Sequence, residues 1–161
     1  MDILKIYKYA LQREIEGKRF FEENAARMSH GAAAGAFKNL AAEEQKHIDF
    51  VQSQIDQIEK KVSASRGNDL ENEEFFSQRA ISEILDRTVL EAMVPDLPVL
   101  RMAYLIERDF AEFYEKAAAQ TEGDAKQILE KLANWERDHE SLFKKYHDQA
   151  FQEYTGLPWG G

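Results

Sequence analysis

Two short motifs in the sequence combine side chains that bind metal ions, Glu44-x-x-His47 and Glu136-x-x-His139. Residues three apart on a helix share a face, so each motif would present a carboxylate and an imidazole together. An isolated pair of this kind is more often a surface ion pair or a hydrogen-bonded histidine. Here, however, apolar residues lie about one helical turn from both motifs, which indicates that the motifs face a protein core.

Two further glutamates, Glu14 and Glu107, lie in the middle of the apolar stripes of the preceding helices. The midpoint between Glu14 and Glu44 falls at residue 29, and the midpoint between Glu107 and Glu136 falls between residues 121 and 122. Both midpoints lie in predicted turns, and residues equidistant from the turn of an antiparallel helix pair lie side by side. The sequence therefore predicts that four glutamates and two histidines meet at one level of the protein.

Four carboxylates in an apolar core would repel one another and lose their hydration, which costs on the order of several kcal/mol per ion. Two divalent cations would balance the four negative charges. Oxygen donors combined with imidazole suit iron or manganese, and zinc is a further candidate. We therefore predict a site for two metal ions, with iron first among the candidates, whose ligands are Glu14, Glu44, His47, Glu107, Glu136 and His139.

Five helical segments are predicted from apolar spacing and turn residues. Four of them form two helix pairs, and the fifth is a crossover of roughly 30 Å that connects the pairs. The predicted helices cover about 2–28, 32–61, 70–92 (the crossover), 98–120 and 124–150, and a tail follows at 156–161. This order predicts an all-α fold, a single four-helix-bundle domain over residues 1–161.

The second helix pair repeats the first. The residues around Glu107 align with those around Glu14 at an offset of 93, and the residues around Glu136 align with those around Glu44 at an offset of 92. We call two residues related by these offsets counterparts. The nearly equal offsets indicate one helix pair used twice.

Composition excludes several classes of protein. The net charge is −9, which argues against a nucleic-acid partner, and no stretch approaches the roughly 18 apolar residues of a membrane span. The chain has no cysteine, so it can build no disulfide, iron–sulfur cluster, rubredoxin-type iron site or thiol nucleophile. Its first residues do not resemble a signal peptide, and we expect a cytoplasmic location.

At these residues the chain resembles the ferritin-like superfamily, and within it the rubrerythrin family most. The resemblance covers most of residues 2–150. It implies a ferritin-like bundle with two irons, in which Glu44 and Glu107 or their counterparts bridge the metals, while His47 and His139 bind one metal each. It also implies a reaction with hydrogen peroxide or dioxygen, a role in oxidative stress, and a homodimer or larger homo-oligomer.

Two features depart from that family. Rubrerythrins usually carry a cysteine-ligated iron that supplies electrons, whereas this chain would need an external donor such as a rubredoxin-type protein. Rubrerythrins also carry an additional glutamate three residues after the third-helix ligand, where this chain has Phe110. The symmetric ligand set that remains is similar to that of bacterioferritin.

Three other residues near the motifs have open interpretations. Tyr114 could orient a ligand glutamate or supply an electron, or it could be a core aromatic residue whose hydroxyl needs some partner. Gly17 could leave room for dioxygen or peroxide, or it could allow close packing of helices. Glu43 is expected to point away from the site.

Three functions fit the sequence. The leading hypothesis is a di-iron oxidoreductase that reacts with peroxide or dioxygen. The second is a ferroxidase and iron-storage protein of the ferritin and bacterioferritin type, which would assemble into a large hollow shell. The third is a non-catalytic helical bundle with a structural metal.

Overall fold

The structure is a computed structural model that describes residues 2–29, 31–60 and 93–156. It contains four α-helices, α1 (Ile3–Ala25), α2 (Gly31–Lys60), α3 (Leu97–Ala119) and α4 (Gly123–Gly156), and a short 3-10 helix at Val94–Asp96. Helix α1 packs along α2, and α3 packs along α4. The described residues include no β-strand. The predicted all-α four-helix bundle is confirmed.

The helix boundaries follow ordinary start signals. Asp2 caps α1, where its carboxylate accepts the backbone N–H of Lys5 at 3.4 Å. Pro98 lies in the first turn of α3, where its missing N–H leaves no helical hydrogen bond unmade. Gly123 begins α4 with a φ of 67°, a left-handed value that glycine adopts without strain. At these positions the sequence alone indicates where α1, α3 and α4 begin.

Helix α4 is longer than the sequence predicted. The prediction ended this helix at residue 150 and began the tail at 156, because Ala150 is the last residue of the apolar stripe. In the structure the helix continues to Gly156, although Phe151 and Tyr154 are exposed. No glycine or proline lies between Ala150 and Gly156, so nothing in that stretch breaks the helix. Residues 157–161 and the predicted crossover helix, 70–92, lie outside the described residues.

The core consists of two apolar clusters, one on each side of a polar layer. The Tyr7 cluster contains the buried residues Tyr7, Ala10, Val51, Ile55, Phe110, Tyr114, Ala117, Ala118, Leu129, Leu132, Ala133 and Trp135. The Phe37 cluster contains Phe21, Ala25, Ala33, Phe37, Leu40, Ala41, Met93, Leu100, Ala103, Leu142, Phe143, Tyr146 and Ala150. Each fully buried phenylalanine or leucine stabilises the fold by about 1.5–3 kcal/mol relative to an exposed one.

The order of these residues along the chain gives the direction of each helix. Helices α1 and α4 run from the Tyr7 cluster to the Phe37 cluster, and α2 and α3 run the opposite way. Each pair is therefore antiparallel, and α2 ends at the opposite end of the bundle from the start of α3. None of the described helices is both long and apolar enough to cross a membrane.

A buried carboxylate links the two helix pairs at the Phe37 end. Asp96, which directly precedes α3, is 4% exposed, and both of its oxygens accept the backbone N–H of Ser29 at 3.1 and 3.2 Å. Ser29 lies after the end of α1, in the connection to α2. This contact ties the first turn to the start of the second pair.

Candidate metal centre

The six predicted ligands form the polar layer between the two apolar clusters. Helices α1 and α3 contribute one glutamate each, and α2 and α4 contribute one Glu-x-x-His motif each. None of the six residues is more than 2% exposed: Glu14, Glu44, His47, Glu107, Glu136 and His139. The structure therefore brings these side chains together at one level of the bundle, as the mirrored spacing predicts.

The donor atoms fall into two groups of four residues. One group is Glu14, Glu44, His47 and Glu136, and the other is Glu44, Glu107, Glu136 and His139. Within each group, one donor atom of each residue lies within 4.8 Å of the others. Both groups share Glu44 and its counterpart Glu136, whereas Glu107 belongs to one group alone. If two ions bind, Glu44 and Glu136 would be the residues able to hold both of them, whereas Glu107 would hold one.

Both histidines present Nδ1 to the carboxylates. Nδ1 of His47 lies 3.2 Å from Glu136 Oε1 and 3.4 Å from Glu14 Oε2. Nδ1 of His139 lies 3.4 Å from Glu107 Oε2 and 3.5 Å from Glu136 Oε2. The two imidazole rings are nearly parallel, with their centres 5.7 Å apart. One ring nitrogen of each histidine therefore faces the space between the carboxylates.

Most of the oxygen and nitrogen atoms of this layer that could bind a metal form no hydrogen bond. Both oxygens of Glu44, Glu107 and Glu136, and Nδ1 of His139, are buried without a hydrogen-bond partner. A buried polar atom without a partner costs about 1–3 kcal/mol, and more if it is charged. A divalent cation would satisfy these atoms, and oxygen donors with imidazole are a set that iron and manganese accept. The residues therefore fit a two-metal centre.

The glutamates divide into two kinds by their pKa values. Burial and the charges of nearby glutamates, Glu136 above all, raise the pKa of Glu14 and the pKa of Glu107 well above the usual range. Burial also acts to raise the pKa of Glu44 and of Glu136, but the two histidines outweigh it, so these pKa values are lowered. In the metal-free protein these shifts favour the protonated form of Glu14 and Glu107 and the ionised form of Glu44 and Glu136.

The histidines are also held in their charged form. Burial by itself lowers the pKa of His47, but Glu44 and Glu136 outweigh it, and the pKa is raised well above its usual value. The pKa of His139 is raised in the same way against burial, by contacts with Glu107 and Glu136 first. The raised pKa values of Glu14, Glu107, His47 and His139 all favour bound protons in the metal-free cluster, and bound cations would have to displace such protons.

Comparison with known proteins identifies the family. The family model of rubrerythrin matches residues 5–147. The chain belongs to the rubrerythrin family. The match includes all six residues of the polar layer, and the sequence-based resemblance is confirmed. No curated protein and no solved structure matches the chain.

In this rubrerythrin-family chain, Tyr114 contacts the polar layer directly. Tyr114 is buried, and its hydroxyl donates a hydrogen bond to Oε1 of Glu14 on the other helix pair. Burial, and then the charges of Glu14 and Glu136, raise the pKa of the Tyr114 hydroxyl, so it keeps its proton. The structure therefore gives Tyr114 a glutamate to orient, although this glutamate is Glu14 and not Glu107 of its own stripe.

Gly17 lies directly against Phe110. A Cβ atom on Gly17 would lie 2.9 Å from Cε2 of Phe110 and 3.8 Å from Oε2 of Glu44. The guanidinium of Arg13 lies over the same phenyl ring, 5.0 Å from its centre. Phe110 therefore occupies the space beside Gly17. Close packing accounts for the glycine, and the interpretation as room for a small oxidant finds no support.

The expectation that Glu43 points away from the site was wrong. Glu43 is 5% exposed, and its Oε2 lies 2.7 Å from Nε2 of His139 on α4. Neighbouring residues on a helix point about 100° apart, so Glu43 misses the centre of the layer but reaches the outer nitrogen of a histidine on another helix. A metal-binding histidine usually donates its second N–H to a carboxylate or carbonyl. That requirement was the signal that sequence reasoning missed.

The counterpart of Glu43 contacts the other histidine in a different way. Trp135 lies flat against His47, with ring centres 4.8 Å apart and ring planes 11° apart. Each residue that precedes a Glu-x-x-His motif therefore reaches the histidine of the other motif. One does so through a carboxylate and the other through an indole face.

Proposed function

We propose that this chain is a di-iron oxidoreductase that reduces hydrogen peroxide or dioxygen with electrons from an external donor. One observation supports the proposal most: seven buried donor atoms of Glu44, Glu107, Glu136 and His139 face one another without hydrogen bonds. Such a cluster is costly without cations, and membership of the rubrerythrin family indicates that two irons would occupy it.

The proposed ligand roles follow from the two donor groups. Glu44 and Glu136 would contact both ions, because both groups include them. Glu14 and His47 would complete one position, and Glu107 and His139 the other. Bound iron would cycle between the ferrous and ferric states and so supply electrons to the oxidant. Manganese or zinc could bind the same donors, but zinc has no redox chemistry to offer.

The protein around the ligands would control water and protons. The Tyr7 and Phe37 clusters close the polar layer on two sides, and all ligand side chains are at most 2% exposed. Reduction of hydrogen peroxide to two waters consumes two protons and two electrons. The Tyr114 hydroxyl holds a proton at Oη beside Glu14 and fixes the orientation of that carboxylate. A role for Tyr114 as a source of an electron stays a prediction.

The electrons for a catalytic cycle would come from another protein. The chain has no cysteine and therefore no rubredoxin-type iron of its own. A rubredoxin-type protein is the donor we propose, and peroxide removal under oxidative stress is the role that such a pair would serve. We also propose that the chain assembles as a homodimer or a larger homo-oligomer.

Anaerobic loading with ferrous iron, followed by stopped-flow mixing with peroxide or dioxygen, tests this function. We expect two ferrous ions per chain and faster oxidation by peroxide than by dioxygen. A Glu44→Gln/Glu136→Gln variant, which loses both shared carboxylates, is the matched control and should show neither reaction. Wild-type protein that binds no iron, or whose bound iron reacts with neither oxidant faster than iron in solution, would contradict the proposal.

A ferroxidase and iron-storage function is the second candidate, and one observation favours it. Phe110 takes the position of the additional rubrerythrin glutamate and packs against Gly17, which leaves a symmetric six-residue set. Preference for dioxygen, with iron mineral that accumulates over repeated additions, would support storage. Light scattering separates the two assemblies, because a particle of two or four chains cannot form a hollow shell.

A further inference from the structure

The α1–α3 seam, the line along which these two helices meet, reaches the polar layer at Gly17 and Phe110. A Cβ atom on Gly17 would lie within 4 Å of Cε2 and Cζ of Phe110 and of Oε2 of Glu44. We propose that small oxidants enter the polar layer through this seam, and that the Phe110 ring limits the size of the molecules that pass. This inference deepens the proposed function and rests on it for the presence of two ions.

The polar layer has an unsatisfied oxygen at this seam. Oε2 of Glu44 is buried and has no hydrogen-bond partner. It lies 3.8 Å from the position of a Cβ atom on Gly17, so the place of the missing side chain faces this oxygen directly. Glu44 also belongs to both groups of donor residues. A molecule that displaced the phenyl ring would therefore come next to a carboxylate able to contact both ions.

The phenyl ring of Phe110 fills the place of that missing side chain. Its Cε2 and Cζ atoms lie 2.9 and 3.4 Å from the Cβ position on Gly17, and the residue is 3% exposed. The ring leaves no open room beside Gly17, so passage requires the ring to move. Side chains in a protein core do change rotamer, whereas displacement of a packed helix disturbs many contacts at once. The ring is therefore the part of this seam that can open.

Arg13 lies over the Phe110 ring next to the surface. Its guanidinium lies 5.0 Å from the centre of that ring and 6.0 Å from the centre of the Tyr9 ring, and Tyr9 is 48% exposed. A cation–π contact at a partly exposed site is weak, so the guanidinium can leave the phenyl ring at small cost. The cover on this side of the ring is therefore easy to remove.

The other approaches to the polar layer are closed differently. The Tyr7 and Phe37 clusters cover its two ends, while α1 packs along α2 and α3 packs along α4. Between α2 and α4, both helices contribute a side chain, because Glu43 and Trp135 each contact one of the ligand histidines. At the α1–α3 seam one partner is a glycine, which contributes no side chain to the closure. The seam is therefore the approach at which one ring movement has the largest effect.

Oxidation of ferrous protein by two hydroperoxides of different size measures this passage. Each hydroperoxide takes two electrons from two ferrous ions and two protons from solvent. Its O–O bond breaks, and hydrogen peroxide gives two waters, whereas cumene hydroperoxide gives water and cumyl alcohol. We expect the wild-type protein to react much faster with hydrogen peroxide. Phe110→Ala should raise the rate with cumene hydroperoxide by roughly 10- to 100-fold and the rate with hydrogen peroxide by much less.

Binding of imidazole to Co²⁺-loaded protein tests the same passage without an oxidant. Imidazole is a planar ring smaller than the phenyl group, and its nitrogen is a donor that Co²⁺ accepts. Visible absorption of the bound Co²⁺ should respond to imidazole in Phe110→Ala at a concentration roughly 10-fold or more below the one that the wild-type protein requires. This measurement reports access to the metal and does not depend on turnover.

Phe37→Ala is the matched control. Phe37 is fully buried and packs against Phe21 and Phe143 within the Phe37 cluster, so alanine there removes the same ring at a distance from Gly17. It should change neither the ratio of the two hydroperoxide rates nor the response to imidazole. Circular dichroism shows whether each variant folds. If an alanine variant does not fold, Phe110→Leu and Phe37→Leu make the same comparison.

A second substitution refills the seam from the other helix. Gly17→Leu in the Phe110→Ala chain places a side chain of α1 where the phenyl ring was, because positions 17 and 110 face each other. It should restore the slow reaction with cumene hydroperoxide and the weak response to imidazole. A general loosening of the bundle would not be repaired in this way.

Two results would overturn the inference and leave the proposed function intact. One is a ratio of hydroperoxide rates and an imidazole response that are the same in Phe110→Ala as in the wild-type protein. The other is a Phe37→Ala variant that changes both as much as Phe110→Ala does. Wild-type ferrous protein that reacts with neither hydroperoxide nor dioxygen would instead overturn the proposed function, and this inference with it.

Discussion

The α1–α2 pair and the α3–α4 pair each supply one mid-helix glutamate and one Glu-x-x-His motif to the polar layer. Around these shared donors, the two pairs place different neighbours. Three sets of counterparts differ beside the site: Gly17 and Phe110, Phe21 and Tyr114, Glu43 and Trp135. The glutamates and histidines are common to both halves, and they set the charge of the polar layer. The neighbours differ, and they give each donor its own hydrogen bonds and packing.

The largest effect on thermal stability is expected from the loss of Glu44 and Glu136, the carboxylates that both groups of four residues include. Cations that bind only the folded protein stabilise it by about 2.7 kcal/mol per ion at one hundred times the Kd, so two ions should raise the Tm by about 10–20 °C. Glu44→Gln/Glu136→Gln should lose this shift, as thermal unfolding with and without ferrous iron would show. Glu59→Gln/Glu130→Gln, on exposed sites of the same two helices, is the control. A full shift in the first variant would refute a shared carboxylate pair.

The next largest effect should be the dependence of stability on pH in the metal-free protein. The pKa values of Glu14, Glu107, His47 and His139 are raised in the folded protein, so folding takes up protons at these groups. Their contribution to stability is lost as the pH rises above about 4.5 for the glutamates and 6.5 for the histidines. The urea concentration at the midpoint of unfolding of the metal-free protein should therefore decrease as the pH rises from about 5 to about 8.

Metal addition gives an independent test of the protons bound to these groups. Bound cations would displace the protons from these groups, so ferrous iron should release protons into weakly buffered solution and bind more tightly at higher pH. Urea midpoints that rise over the interval, together with metal binding that releases no protons, would contradict the description of the cluster.

The Tyr114 hydroxyl distinguishes the Glu14 side of the layer from the Glu107 side. Tyr114→Phe removes the hydrogen bond to Glu14 and leaves a buried carboxyl oxygen without a partner, which should cost about 1–3 kcal/mol in the metal-free protein. Urea denaturation measures the loss. Tyr9→Phe, at a tyrosine that is 48% exposed, should change the free energy of unfolding by much less. Equal small effects in the two variants would mean that the contact with Glu14 does not stabilise the protein.

The Gly17–Phe110 contact should give the smallest effect. Alanine at position 17 gains about 1 kcal/mol in helix propensity, but its Cβ would lie 2.9 Å from the Phe110 ring, and overpacking typically costs about 1–3 kcal/mol. Gly17→Ala should therefore be neutral to destabilising by about 2 kcal/mol. With Phe110→Leu in the same chain, Gly17→Ala should become stabilising. A double-mutant cycle in urea with no coupling between the two positions would contradict the packing.

The sequence was sufficient to predict which six side chains meet in the core and at what level of the bundle they meet. Glu14 and Glu44 are equidistant from one turn, and Glu107 and Glu136 from the other, so chain geometry alone fixes their heights within each pair. The apolar residues around them fix their direction. These two features depend on neighbours along the helix or across one short turn, which a sequence displays directly.

Contacts between the two helix pairs could not be predicted in the same way. Glu43 and His139 are 96 residues apart, and Tyr114 and Glu14 are 100 apart. Whether such residues meet depends on how far each pair is rotated about the bundle axis, and packing of many side chains decides that rotation. The end of α4 could not be predicted either, because Phe151 and Tyr154 are exposed and no apolar stripe marks the part of this helix that extends beyond the core.

Anomalous diffraction from crystals loaded anaerobically with ferrous iron would show whether the polar layer binds two irons. We expect two iron peaks in this layer, one among Glu14, Glu44, His47 and Glu136, the other among Glu44, Glu107, Glu136 and His139. Peaks only at surface carboxylates, or none between the helices, would contradict this expectation.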